Sequence, residues 1–210
     1  MTQPITFDVC AAVSALIAHY RARSQGDDAV AAELRSVLSL LPEIVPVQTA
    51  DIHGDPGHSV SRFVDDALAP KLGTVSDVSD ALRPIAAILP WRFSYAPRAD
   101  LPGLENRMAW AEFVGPEAPI HSDKIGIGVT LIGPHTLYPA HFHPAVESYF
   151  VLSGTALWTA AGVTRALPPG SFILHPENIV HAMETYEAPL LAAYTWTGDI
   201  VTSSAYADKH

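Results

Sequence analysis

The stretch His141-Phe142-His143-Pro144-Ala145-Val146-Glu147-Ser148-Tyr149 decides how this chain is read. In an extended strand, side chains at i and i+2 share a face, so His141 and His143 point the same way. Pro144 cannot donate to a β-ladder and should bend the strand. Beyond the bend, Glu147, Tyr149 and Val151 again share one face. Two imidazoles and a carboxylate converging inside a β-structure suit Fe, Mn, Ni, Co or Zn, and a facial arrangement leaves positions open for substrate. A single buried histidine is commonly a hydrogen-bonded core residue, but the spacing His-x-His-x3-Glu favours a ligand set over that plainer reading.

A fourth ligand is expected from another strand. In Pro176-Glu177-Asn178-Ile179-Val180-His181, proline fixes φ at a turn and Asn178 tolerates the left-handed conformation, so the strand carrying His181 starts in a defined register. His175, immediately before Pro176, is the competing candidate. Of the ten histidines, six lie between His121 and His181. His121 and His135 stand in loop-like contexts and are read as surface or rim residues, and His19, His53, His58 and His210 carry no signal.

Around this centre the texture is that of strands. The runs 91–95, 108–114, 125–132, 148–152, 156–159 and 190–196 are short and rich in β-branched or aromatic residues, with Gly, Pro and Asn between them. That punctuation predicts an antiparallel barrel or sandwich. Residues 5–88 read as helical instead. Val9, Val13, Leu16, Ile17 and Tyr20 form one apolar stripe, and Val30, Leu34, Val37, Leu38 and Leu41 form a second that Pro42 ends. A Gly/Pro/His loop over 51–58 leads to Val60, Phe63, Val64 and Leu68, and a fourth helix is predicted over 76–89, capped by Ser76 or Asp77 and weakened by Pro84. Helices first and strands second is an α+β pattern. The expected organisation is an N-terminal helical region over 1–90 packing on a C-terminal antiparallel β-barrel over 91–210 that carries the metal site.

Composition closes off several classes. With 49% hydrophobic and 16% charged residues, 210 residues are enough to bury a core, and neither a disordered chain nor a coiled coil is indicated. Lys+Arg 12 against Asp+Glu 22 gives a net charge of −10, which repels nucleic acid and anionic membranes. The single Cys10 excludes an internal disulfide framework or a Cys-rich zinc site. The apolar run at 9–18 is too short to span a bilayer, and Arg21 and Arg23 follow it rather than precede it. The expectation is a cytoplasmic protein without nucleic-acid or membrane partners.

The two histidine motifs resemble those of the cupin superfamily. Its first motif, G-x5-H-x-H-x3-E-x6-G, is met by His141, His143, Glu147 and Gly154, with His135 in place of the leading glycine. Its second, G-x5-P-x-G-x2-H-x3-N, is met by Gly170, Pro176 and His181, with Asn178 for Gly and Thr185 for Asn. The gap of about 15 residues between the motifs suits one tight hairpin.

A closer resemblance is to the cupin-type dimethylsulfoniopropionate (DMSP) lyases. It is carried by Tyr138-Pro139-Ala140 leading into the first motif, by Pro168-Pro169-Gly170-Ser171 and Leu174-His175-Pro176, by His181-Ala182-Met183, and by Tyr194-Thr195-Trp196-Thr197-Gly198-Asp199. It covers roughly 134–200; residues 1–90 carry no such motif.

The resemblance implies a carbon–sulfur lyase that removes the proton α to the carboxylate of DMSP, a zwitterion, and expels dimethyl sulfide, leaving acrylate. It implies one divalent transition metal ion, Tyr149 as the base and Tyr138 as the next candidate for that role. A free phenol has a pKa of about 10, and a nearby divalent cation would lower it. Tyr138 and Trp196 are expected to face the sulfonium as aromatic surfaces, with Met183 lining the same cavity, while Tyr194 and Trp158 are expected in packing. The alternatives are another metal cupin, such as a dioxygenase or an isomerase, and a non-catalytic cupin that binds a small ligand. Cupins often pair, which leaves a homodimer open. The loops at 54–57 and 97–103 are the candidate lids.

Overall fold

Among the described residues, five strands in one layer and six in another face each other, with helices covering the outer side of the larger sheet. This is a computed structural model, and it describes residues 9–41, 54–55, 57–69 and 75–207. Pro42, His53, His210 and parts of the 51–58 and 54–57 loops lie outside the described residues.

The helices come first, as their apolar stripes require. Helix α1 (Cys10–Arg23) buries Val13, Leu16, Ile17 and Tyr20. Helix α2 (Ala29–Leu40) is capped by Asp28, whose carboxylate accepts from Ala31 N–H, and buries Ala31, Leu34 and Val37. A 3-10 turn (Ser59–Phe63) runs into the one-turn α3 (Val64–Ala67). The helix predicted over 76–89 is shorter than expected. Helix α4 spans Ser76–Leu82, and a separate 3-10 turn (Ala86–Ile88) follows Pro84, whose ring cannot be accommodated inside a helix. Neither Ser76 nor Asp77 caps it; Val75 holds that position without a side-chain bond, and Asp77 pairs with His19 of α1 at 2.9 Å. Among the described residues, no helix is long and apolar enough to cross a membrane.

The strands are β1 (Met108–Gly115), β2 (Ile120–His121), β3 (Ile125–Ile132), β4 (Leu137–Phe142), β5 (Val146–Ser153), β6 (Ala156–Ala160), β7 (Val163–Leu167), β8 (Phe172–His175), β9 (His181–Thr185), β10 (Leu190–Thr197) and β11 (Ala205–Tyr206). One sheet has the order β2-β1-β3-β10-β5-β8 and the other β11-β4-β9-β6-β7. All pairings are antiparallel except the two-residue contact of β2 with β1. The expected barrel is therefore a sandwich that does not close. From β3 onward the chain changes sheet at almost every connection, so that β4 and β5, adjacent in sequence, lie in opposite layers. The predicted strand at 91–95 is reduced to isolated bridges at Trp91 and Arg92.

β3 is buried along its whole length because both of its faces are covered. Its outward residues Ile127, Val129 and Leu131 share one core with Leu16, Tyr20 and Leu34 of the helices. The inner faces of the two sheets enclose a second cluster that includes Tyr138, Tyr149, Trp158, Met183 and Tyr194. At 25–30 cal/mol per Å² of apolar area, burying Leu16 or Leu34 fully contributes about 1.5–3 kcal/mol each. The turn between β6 and β7 is the tight hairpin expected between the motifs, with Ala161 and Gly162 both at positive φ, as a type I′ turn demands.

Candidate metal centre

Strand register brings the polar side chains together between the sheets. Glu147 on β5 lies opposite His175 on β8 on one side and Trp196 on β10 on the other. On the facing sheet, His141 of β4 pairs directly with His181 of β9. His143 stands on the crossover that carries the chain from β4 to β5, where Pro144 ends the ladder. Asn178 takes the left-handed conformation, φ 59°, and its N–H donates to the His143 carbonyl at 2.9 Å. The start of β9 is thus tied to His143 itself, which sets where His181 enters.

The histidines are held in one tautomer. Nδ1–H of His141 donates to the Pro139 carbonyl at 2.8 Å, that of His143 to Ala145 at 3.0 Å and that of His181 to Ile179 at 2.9 Å. A proton fixed on Nδ1 frees the Nε2 lone pair for a cation. Nε2 of His143 and Nε2 of His181 lie 3.1 and 3.3 Å from Glu147 Oε2. Nε2 of His181 is buried and finds no hydrogen-bond partner among the described residues. Ligand atoms of His143, Glu147 and His181 all lie within 4.8 Å of one another, a group that can hold a metal ion. His141 stands at its edge, its ring 4.0 Å from that of His181 and 6.3 Å from that of His143. Buried imidazoles around a buried carboxylate, each with its second nitrogen already bonded, match the donor set and the outer support of a metal centre.

His175, the rival for the fourth ligand, has both nitrogens in use. Trp158 Nε1–H donates to its Nε2 at 3.1 Å, so its Nδ1 carries the proton toward Glu147 Oε2 at 3.2 Å. It orients the carboxylate rather than competing for an ion. Trp196 does the same on the other oxygen, donating from Nε1 to Glu147 Oε1 at 2.8 Å.

The charges follow from these contacts. Burial pushes Glu147 upward, but the imidazoles of His143, His175 and His181 facing it outweigh burial and hold the carboxyl well below its ordinary value. Burial pulls His143 down, and Glu147 more than restores it, raising it overall. Burial takes His141 well below its usual value and lowers His175 to about 4, so both rings are neutral at pH 7. Burial, reinforced by the Glu147 charge, raises the Tyr149 phenol well above its ordinary value, while a hydrogen bond with Thr130 acts the other way.

A cavity of about 370 Å³ opens onto this cluster, and Tyr138, His141, His143, Glu147, Tyr149 and Trp196 are on its wall. Tyr138 stacks on His141 at 4.0 Å, and its hydroxyl shares a 2.5 Å hydrogen bond with that of Tyr95. Trp196 lies 4.5 Å from the His143 ring. Met183 does not reach the wall. Its cross-strand neighbours Tyr138 and Trp158 flank it, and it packs between them in the inner cluster. Trp158 is in packing as expected, but Tyr194, expected there too, lines the cavity. His121 and His135 are exposed, His135 beside Glu187.

Among the wall residues that sequence reasoning passed over are Glu112 and Tyr95. Tyr95 ends the run 91–95, which reads as a strand but is a loop at this residue. Glu112 had a signal, because alternation in Met108-Ala109-Trp110-Ala111-Glu112 puts an acid on the same face as a methionine and a tryptophan.

Two facing β-sheets with this His/Glu cluster between them define an α+β protein of the cupin class. The chain matches the family model for dimethylsulfoniopropionate lyase over residues 35–192, and it belongs to that family. It is 28% identical over 193 residues to the dimethylsulfoniopropionate lyase DddQ of Ruegeria pomeroyi, covering 90% of each chain. The crystal structure of the R. pomeroyi DSS-3 DMSP lyase DddQ superimposes with a TM-score of 0.71 over 93% of this chain and 95% of that one, at 28% identity. A putative DMSP lyase, DddL of Cereibacter sphaeroides, is 35% identical over 130 residues, 60% of this chain and 53% of that protein.

Proposed function

We propose that the chain is a metal-dependent carbon–sulfur lyase that splits DMSP into dimethyl sulfide and acrylate. In this reading His141, His143, Glu147 and His181 hold one divalent transition metal ion, and Tyr149 is the base. The observation that carries the reading is the grouping of His143, Glu147 and His181, with His143 and Glu147 on the same cavity wall as Tyr149, in a chain of the DMSP lyase family.

A divalent ion held by these residues would supply Lewis acidity toward the substrate carboxylate and positive charge that favours the Tyr149 phenolate. Burial and the Glu147 charge keep the Tyr149 phenol protonated in the protein alone, so a base at this position needs positive charge close by. The phenolate of Tyr149 takes the proton from the carbon α to the carboxylate. The electrons of that C–H bond form the new double bond, and the C–S bond breaks with its pair leaving on sulfur as dimethyl sulfide. Tyr149 then returns its proton to solvent. Trp196, fixed by its bond to Glu147, and Tyr138, stacked on His141, offer aromatic faces to the sulfonium, each contact contributing about 0.5–2 kcal/mol.

The test is headspace dimethyl sulfide from purified protein given DMSP, with Mn(II), Fe(II), Co(II), Ni(II) or Zn(II) added separately. Metal-dependent release is expected, and it should be lost in Tyr149→Phe and His181→Ala. Release that survives Tyr149→Phe would move the base, with Tyr138 next in line. No release from protein shown to bind metal would overturn the reading.

A further inference from the structure

Glu112 has no part in the chemistry above, yet it is a largely buried acid on the wall of the same cavity. Its placement is built from three local features. β1 carries a bulge between Glu112 and Val114, the kind of irregularity that re-aims a side chain near a site. In β3, the inward positions facing it are Gly126 and Gly128. Gly128 is the cross-strand partner of both Glu112 and Tyr194, and a Cβ there would meet the Tyr194 ring and hydroxyl at 2.7 Å. The bare glycine therefore lets Tyr194 lie across β3 and hydrogen-bond Glu112. Gly126 pairs with Trp196, and the space a Cβ there would occupy lies next to both the Trp196 Cβ and Glu112 Oε2.

We propose that Glu112, framed by Tyr194, Trp196 and Trp110, forms the cation-accepting end of the cavity and takes the onium group of a zwitterionic substrate whose carboxylate lies at the His/Glu centre. This rests on the function proposed above and adds the element that selects charge at the far end of the substrate. Aromatic faces alone attract a cation modestly, whereas a carboxylate in a low-dielectric wall discriminates strongly between a cation and a neutral group of the same shape. Arg92 is also on this wall, but its guanidinium is engaged by Glu117 at 3.2 Å and lies over the Trp110 ring.

Burial raises the Glu112 carboxyl to about 7, with Arg92 pulling it down, Glu117 pushing it up and the Tyr194 hydrogen bond lowering it. An arriving cation favours its ionised form. The selectivity should accordingly grow as pH rises through neutrality.

The test is equilibrium binding to the metal-loaded protein of two inert probes that differ only in charge. One is β-alanine betaine, with a trimethylammonium head, and the other is 4,4-dimethylpentanoate, its neutral isostere. The ratio of the two affinities cancels effects at the carboxylate end. Wild type should prefer the betaine, and Glu112→Gln should reduce that preference by about tenfold or more. Glu112→Asp, which keeps the charge on a shorter arm, should restore part of it. In wild type alone, the ratio should rise between pH 5.5 and 8, a readout that does not depend on any variant folding. A preference that is absent in wild type, unchanged in Glu112→Gln or flat with pH overturns the proposal. Binding requires no turnover, so a protein that selects the betaine but releases no dimethyl sulfide would sink the lyase reading and leave the cation site standing.

Discussion

The indole N–H of Trp158 donates to Nε2 of His175 at 3.1 Å, and this one bond fixes which way the imidazole proton points. With Nε2 occupied, Nδ1–H faces Glu147 Oε2 and helps to aim the carboxylate at His143 and His181. Trp158→Phe keeps the packing but frees the ring to change tautomer. It should weaken metal binding about 10–100-fold, the usual cost of losing an outer-shell partner. Competition against a chelator of known affinity measures it, and an affinity equal to wild type would show that the His175 orientation is held by other means.

Tyr95 is placed to hold Tyr138. Their hydroxyls are 2.5 Å apart, and Tyr95 stacks on Tyr206 of the C-terminal strand at 4.6 Å. Tyr138 in turn stacks on His141. Tyr95→Phe leaves the stack but removes the bond, a loss of about 1 kcal/mol. If Tyr138 faces the substrate and is not the base, the change should raise KM for DMSP by about fivefold and alter kcat less. A selective fall in kcat would instead assign Tyr138 a direct role in proton transfer.

Much of this centre was legible because its signals are local. Asn178 follows from a proline two residues before it and the need for a left-handed turn, and that turn is present at φ 59°. His141, His143 and Glu147 follow from spacing along one bent strand. What was not legible depends on partners distant in sequence. Whether His175 or His181 offers a free nitrogen depends on Trp158, seventeen positions away from His175 across a hairpin. Met183 shares its face with His181 but is covered by Tyr138 and Trp158 from the strands on either side. The break of the fourth helix was half-visible in Pro84, while the failure of the sheets to close depends on which strands pair, and alternation alone does not encode that.

The helical half is not a detachable cap if its core is the one seen here. Leu34 of α2 is fully buried in the cluster that also contains Val129 and Leu131 of β3, and Glu33 accepts a 2.6 Å bond from Thr197 at the end of β10. Leu34→Ala should cost about 2–5 kcal/mol through lost burial and the cavity left behind. If helices and sheets fold as one unit, denaturant unfolding stays a single transition followed equally by far-UV signal and by tryptophan fluorescence, since Trp91, Trp110, Trp158 and Trp196 all lie in the strand-rich half. Separated transitions would mean that the two halves unfold independently.

Glu112 makes a prediction about stability that is independent of any substrate. Its carboxyl is raised from 4.5 to about 7, chiefly by burial. Below pH 4.5 it is protonated folded or unfolded and costs nothing extra. As pH rises toward 7, the unfolded chain ionises freely while the folded protein resists, so stability falls through that window and the loss is complete above it. The shift corresponds to at most about 3 kcal/mol, and residual solvent contact at the cavity mouth reduces it. Glu112→Gln removes the titration while keeping the shape and a hydrogen-bonding oxygen for Tyr194. Relative to wild type, the variant should gain stability at pH 8 and little or none at pH 4.5. Taking the difference between the two proteins at each pH cancels the histidines, which titrate in both. Urea midpoints at the two pH values decide it: an equal difference at both would mean that the Glu112 charge is already satisfied in the folded protein. A gain confined to high pH would mean that the wall carries a destabilising charge, as expected of a group retained for a cation it binds.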